Sequence, residues 1–163
     1  MADRGTARLS DSYTEMTELV MPDDTNTLGR ALGGVILHWM DICGGIAAMR
    51  FTHQRCVTAS IDHVDFIAPI SAGEVVTVQA YVFNTGRTSV DVTVEVTAEN
   101  PQTGDVRDAT ASFLTFVALD EEFTPTEVPD LVCDSDSERA DRDDAVERRE
   151  ARLAELLARM DRA

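Results

Sequence analysis

Residues 22–50 read PDDTNTLGRALGGVILHWMDICGGIAAMR. A loop of Asp, Thr, Asn and Gly runs into a Gly-Gly pair and then into a long apolar stretch. The pattern over residues 33–49 predicts a helix, apolar nearly all round, which is the mark of a helix buried on most faces. One carboxylate, Asp41, sits inside it. An unpaired buried charge is costly, so Asp41 needs either a partner or a task. Gly44, Gly45, Ala47 and Ala48 crowd the second half of the helix. Glycine there weakens helix propensity, so its presence predicts a surface that approaches the helix closely.

The segments that follow supply that surface. Residues 57–66, 74–83, 89–99 and 109–119 read as strands, and 13–21 as a further short one. Residues 89–99 alternate most regularly. Val90, Val92, Val94, Val96 and Ala98 face one way, and Asp91, Thr93, Glu95, Thr97 and Glu99 the other. Period two of this regularity means a half-buried antiparallel strand. NTGRT and NPQTGD mark turns between strands, and Gly29 offers a special backbone conformation in the loop before the helix. One buried helix followed by an antiparallel meander predicts an α+β fold in which a strongly curved sheet wraps the helix. A ferredoxin-like sandwich would need a second core helix between strands, and none is visible before residue 134.

The two ends differ from this body. Residues 1–11 are polar and are expected to be loose. Residues 135–163 are dense in Asp, Glu and Arg, and SDSE at 135–138 has capping-box spacing. Val146, Leu153, Leu156, Leu157 and Met160 then form a narrow apolar stripe at helical spacing. The expected organisation is a body of residues 1–133 and a charged helical extension of residues 134–163. That extension lies on the body, on a neighbouring subunit, or free in solvent.

Across its 163 residues the chain has 30 acidic and 14 basic side chains, a net charge of −16. Every basic residue is Arg; Lys is absent. This composition fits adaptation to high salt, where self-repulsion is screened, and it disfavours nucleic acid and anionic membranes as partners. Cys43, Cys56 and Cys133 form no CxxC, so they read as reduced thiols of a cytoplasmic protein. There is no N-terminal apolar signal segment. The longest apolar run, residues 35–49, is broken by His38 and Asp41 and is too short to span a bilayer.

Three features near the helix carry chemistry. Asp41 is an acid within the helix, Asn26 an amide in the preceding loop, and Gly33 and Gly34 bring bare N–H groups to the positive end of the helix dipole. Together they are the parts needed for acyl transfer from an ester or thioester: an acid to activate water or to attack, and donors for the oxyanion. A structural acid, hydrogen-bonded in the core, is the competing reading of Asp41. Gly33 and Asp41 are about 12 Å apart at ~1.5 Å per residue, so a site that uses both ends draws on two chains. His38 lies three residues from Asp41 but reads better as a satisfied or exposed side chain. His53 and His63 have no partner at metal-ligand spacing, and no phosphate loop, dinucleotide glycine pattern or nucleophilic Ser or Cys motif is present.

MPDDTNTLGRALGGVILHWMDICGGIAA, VTASIDHVDFIAPISAGEVV and NTGRTSVDVTVEV, in this order and spacing, resemble a hotdog-fold acyl-coenzyme A thioesterase. The likeness runs over roughly residues 13–119, and is nearest to the single-domain bacterial and archaeal enzymes related to the brain-type hydrolase. It implies a thioester hydrolase with Asn26 and Asp41 as the catalytic pair, shared across a homodimer that often assembles into a trimer of dimers. It implies no cofactor beyond the coenzyme A of the substrate, and the histidines make no case for a metal. It also implies that the turn carrying Arg87, Thr88 and Ser89 contacts coenzyme A. A polyanion on so acidic a body needs a local cluster of Arg, for which Arg87 is the best candidate and Arg30, Arg50 and Arg55 are weaker ones. Thr58 and Ser60 alternate along the first meander strand and are candidates to line the channel. Leu32 departs from the His or Phe that many relatives carry before the Gly-Gly pair, which bears on the acyl pocket. A hydratase or dehydratase on acyl thioesters and a non-enzymatic acyl-CoA-binding module are the alternatives.

Overall fold

The computed structural model describes residues 4–161. A short strand β1 (Thr6–Arg8) and a single helical turn α1 (Leu9–Ser12) precede strand β2 (Thr14–Leu19). The long helix α2 (Gly33–Thr52) follows, then β3 (Arg55–Ile61), β4 (Val75–Thr85), β5 (Ser89–Glu99) and β6 (Val106–Leu119). A short strand β7 (Asp130–Val132) leads to the C-terminal helix α3 (Asp136–Met160).

Five strands form one antiparallel sheet in the order β2-β4-β5-β6-β3. Its ladder is interrupted where Phe83 of β4, Ala59 of β3 and Ala109 of β6 each add one residue against the neighbouring strand. Such bulges bend a strand and increase its twist. They give the sheet the curvature that lets it wrap α2. On the concave face Val76, Val78, Ala80, Val82, Val90, Val92, Val94, Leu114 and Phe116 pack against Ile36, Met40, Cys43, Ala47 and Phe51 of α2. The expected close approach is found at Gly44. A Cβ placed there would lie 3.2 Å from two ring carbons of Phe116 and 3.4 Å from Val94.

The convex face is covered by α3. Phe83 and Phe113 meet edge to face with ring centroids 5.5 Å apart, and Ala145, Tyr81 and Val146 complete the cluster. Arginines surround it. Arg149 Nη1 lies 2.8 Å from Asp91 and its Nε 3.1 Å from Asp62, while Arg148 reaches Glu95 at 2.8 Å. Arg152 donates to the Ala111 carbonyl. The extension therefore lies on its own body as far as Arg152. Of the stripe predicted from sequence, Val146 and Leu156 are half-buried, whereas Leu153, Leu157 and Met160 are exposed.

The N-terminal segment is more ordered than its composition suggests. Residues 1–3 lie outside the described residues, but β1 pairs in parallel with β7, and Ser10 N–H donates to the Glu138 carboxylate. Both partners are more than a hundred residues away in sequence, so local polarity could not reveal them. Glu138 also accepts from Asp134 N–H, while Ser135 caps α3 by accepting from Glu138 N–H at 3.1 Å. The acid of the expected capping box is shared: it also accepts from the N–H groups of Asp134 and Ser10.

Candidate active site

The loop before α2 is closed by an antiparallel bridge between Thr25 and Ala31 and by hydrogen bonds around Asn26. Asn26 Oδ1 accepts from Leu28 N–H at 2.9 Å and Arg30 N–H at 3.2 Å, and Asn26 N–H donates to Arg30 C=O. Gly29 supplies the left-handed residue of the turn with φ of 70°. The amide oxygen of Asn26 is thus committed to the loop. Its Nδ2 has no partner among the described residues and is the group left to face a ligand.

The loop delivers the chain into α2 with Leu32 at the N-cap. Leucine has no oxygen with which to cap, and both Val35 and Ile36 N–H donate to Leu32 C=O. The N–H groups of Gly33 and Gly34 have no partner among the described residues. They remain as donors at the positive end of a 20-residue helix.

Asp41 lies two turns further on. It is half-buried, on the side of α2 that faces the edge strand β3 and not the centre of the core. Its Oδ1 accepts a hydrogen bond of 2.5 Å from Thr58 Oγ1 of β3. Its neighbours on this side, His38, Ile42 and Met49, are exposed, so α2 is less enclosed than its sequence predicts. Among the described residues β3 pairs only with β6, and its other edge is open. Val57 and Ile61 on it are more than 40% exposed, which is unusual for apolar strand residues in a finished sheet. His38 makes no hydrogen bond to Asp41.

Thr58 and Ser60 do not share a face. The bulge at Ala59 sets Thr58 opposite Phe116 and Ser60 opposite Thr115. Phe116 points to the core, whereas Thr115 bonds to Asp91 and Arg149 beneath α3. Directly paired residues project to the same side of a sheet, so only Thr58 looks toward Asp41.

The turn with Arg87, Thr88 and Ser89 joins β4 to β5. It is fixed through its backbone: Gly86 N–H donates to Ser89 C=O, Ala118 N–H to Thr88 C=O, and Val128 N–H to Arg87 C=O. A Cβ on Gly86 would sit 2.7 Å from Ser89 Oγ, so a larger residue there would turn the Ser89 hydroxyl away. The Arg87 guanidinium has no partner among the described residues. Ser89 is in register with Val117, which is in register with Val57 of β3. At ~4.8 Å per strand, the turn is about 10 Å across the sheet from the Thr58 end of β3. Arg55 stacks over Phe123 with 5.2 Å to the ring centroid, and Arg50 is engaged by Tyr13 C=O and Thr14 Oγ1. Arg30 has a free side chain among the described residues.

The thiols are poor nucleophiles here. Burial pushes Cys43 up to about 11 and raises Cys56 and Cys133 as well. No group of three His, Cys, Asp or Glu side chains converges to hold a metal among the described residues. No helix in the same residues is long and apolar enough to cross a membrane. One residue near the site was not legible in the sequence: Phe66 lays its ring against Gly33, with Cζ 3.1 Å from where a Cβ would stand. The sequence pattern carried this strand on to residue 66, but β3 ends at Ile61, so Phe66 lies in irregular chain where period two assigns no face.

Residues 28–104 match the thioesterase superfamily. An acyl-CoA thioester hydrolase of Bacillus subtilis is 38% identical over 138 residues, 85% of this chain and 80% of that protein. The acyl-CoA hydrolase of Staphylococcus aureus, solved with butyryl coenzyme A, coenzyme A and coenzyme A disulfide, is 34% identical. It superposes with a TM-score of 0.79, covering 96% of this chain and 97% of that one. The same enzyme has been solved as alanine variants of one aspartate, one asparagine and one threonine. A hexameric acyl-CoA thioesterase is 37% identical with a TM-score of 0.83, covering 93% of this chain and 97% of the other.

Proposed function

Because this chain belongs to the acyl-CoA thioester hydrolases of the thioesterase superfamily, with their hotdog fold, we propose that it hydrolyses acyl-CoA thioesters to a carboxylic acid and coenzyme A through Asp41 and Asn26. The observation that carries the site assignment is the Asp41 carboxylate, held by the Thr58 hydroxyl on the open side of α2. Asp, Asn and Thr are also the residue types replaced in the S. aureus variants.

In this reading Asp41 takes a proton from water as the water oxygen attacks the thioester carbonyl carbon. The carbonyl oxygen becomes an oxyanion and accepts from Gly34 N–H, with Gly33 N–H and Asn26 Nδ2 beside it. Collapse of the intermediate breaks the C–S bond, and the proton on Asp41 passes to the leaving thiolate. Direct attack by the carboxylate, forming an anhydride that water then opens, uses the same groups.

A helix separation of about 12 Å between Gly33 and Asp41 keeps donor and acid of one chain apart. The open edge of β3 and the uncovered Ile42, Met49, Val57 and Ile61 favour a second copy there. The working unit is then a homodimer in which each site takes its amides from one protomer and Asp41 from the other. A trimer of such dimers fits the hexameric relative. Arg87, with Thr88, Ser89 and Thr58, is the proposed contact for the coenzyme A limb; Ser60 belongs with it only if the ligand reaches the convex face. A two-part organisation, body 1–133 and extension 134–163, goes with this reading. Three free cysteines suit a reducing cytoplasm, the acidic, Lys-free composition suits high salt, and the substrate class suits fatty-acid metabolism.

Release of free thiol from a panel of acyl-CoAs tests the reading. Thiol release by the native protein, lost in Asp41→Ala, supports it. A folded protein silent across the panel overturns it.

A further inference from the structure

The two amides left unpaired at the mouth of α2 have an apolar wall beside them. Phe66 is 50% exposed, and its ring carbons Cζ and Cε2 lie 3.1 and 3.3 Å from the position a Gly33 Cβ would occupy. Any side chain larger than hydrogen at residue 33 would displace this ring, so glycine here makes room for Phe66 as well as baring the backbone.

The wall is held from two sides. Thr110 Oγ1 donates to Asp65 C=O at 2.7 Å, and Ile67 N–H donates to Ala109 C=O at 2.9 Å. On the far side Ala31 N–H donates to Ile70 C=O, and Arg107, itself paired in a fork with Glu74, donates to Pro69 C=O. The segment therefore runs fixed between β6 and the loop that enters α2. Leu32, next to Gly33 in the chain, and Ile67, next to Phe66, are 41% and 71% exposed. This collar faces outward beside two N–H donors, an arrangement that suits a substrate with a polar carbonyl and an apolar limb.

We propose that Phe66 sets the width of the acyl channel at the carbon next to the reacting carbonyl, and so selects unbranched over branched acyl groups. This rests on the hydrolase reading above. A thioester whose carbonyl oxygen sits on the Gly33 and Gly34 amides must bring its two limbs past the rim of the helix mouth. The coenzyme limb is polar and amide-bearing; the acyl limb is apolar. The ring is apolar and offers no hydrogen bond, so it borders the acyl limb. Because it touches the flank of Gly33, it meets the first carbons of that limb and not its far end. A substituent on the α-carbon then strikes the ring, while a straight chain passes along it.

The test compares kcat/KM for butyryl-CoA and for the α-branched isobutyryl-CoA, in the native protein and in Phe66→Ala and Phe66→Trp. Loss or gain of packing in an apolar pocket changes such ratios by about 10–200-fold. Phe66→Ala should raise the branched-to-straight ratio at least about tenfold, and Phe66→Trp should lower it. A merely structural role would change both substrates alike and leave the ratio where it was. Melting curves establish that each variant is folded, and the exposed ring makes both substitutions tolerable. An unchanged ratio in folded, active variants overturns the proposal and leaves the hydrolase reading intact. A folded native protein silent across the acyl-CoA panel, these two esters included, overturns both.

Discussion

Thr58 donates its hydroxyl to Asp41 from a neighbouring strand, at 2.5 Å, and this single bond fixes one oxygen of the only acid on α2. The other oxygen has no partner among the described residues. The pair explains why an acid stands in a helix that otherwise reads as core: it lies on the side the sheet does not close.

Asp41→Ala should fold and lose at least ~10²-fold in turnover, the scale for removing a general base. Thr58→Ala should lose less, about 10–100-fold, the worth of one hydrogen bond to a charged group, and Thr58→Ser should restore most of it. Steady-state thiol release measures all three. Near-native turnover by a folded Asp41→Ala protein would remove Asp41 from the mechanism.

The proposed sharing of the site between two protomers has its own test. Asn26→Ala and Asp41→Ala homodimers should each be nearly inactive, but refolding them together creates mixed dimers. In a mixed dimer one of the two sites retains both residues, so up to about half the native activity per mixed dimer should return, as two-fold symmetry requires. If verified mixed dimers stay inactive, the pair acts within one chain.

How far the sequence carried this site depended on the kind of information. The alternation of residues 89–99 defined β5 with its bounds, and the small residues at 44 and 45 foretold the approach of the sheet, realised by Phe116. Gly29 foretold its positive φ. Bulges were invisible because each inserts a single residue without disturbing composition. The one at Ala59 sends Ser60 to the face opposite Thr58, against the period-two expectation. Contacts across long separations were invisible too: Glu138 with Ser10, β1 with β7, and Phe66 with Gly33.

Stability and activity should both rise with salt. A net charge of −16 repels itself and a polyanionic thioester, and the Debye length falls from ~10 Å at 0.1 M to ~3 Å at 1 M. The melting temperature in dilute buffer and in molar KCl measures this. An unchanged value would mean that the acidic composition serves something other than salt tolerance.

Glu138 gives the N-terminal segment a pH dependence. Hydrogen bonds from Ser10 and then Asp134 hold its carboxyl below the usual range. A depressed folded pKa contributes stability that is present above the unfolded value, about 4.3, and is lost as the pH falls through the folded one. Below pH ~4 the contact between α1 and α3 should loosen, seen as faster amide exchange at Ser10 and Asp134 relative to the unfolded rate at the same pH. Glu138→Gln should already show that exchange at neutral pH. Its melting temperature should fall less than the native one between pH 5 and 3.

The two halves of α3 should separate in a truncation series. Removing all of α3 uncovers Phe83 and Phe113 and strips Asp91 and Asp62 of Arg149. Uncovering a large apolar side chain costs about 1.5–3 kcal/mol, so the loss of two should lower the melting temperature clearly and promote aggregation. Ending the chain after Glu150 is a different experiment. It keeps Ala145, Val146, Arg148 and Arg149 on the sheet and removes the exposed Leu153, Leu157 and Met160. The body should stay folded and each dimer should keep its catalytic pair. If the exposed stripe rests on a neighbouring subunit, light scattering will show a smaller assembly with turnover per dimer preserved. An unchanged assembly would make those last turns a solvated end, and loss of turnover without loss of assembly would bring them to the active site.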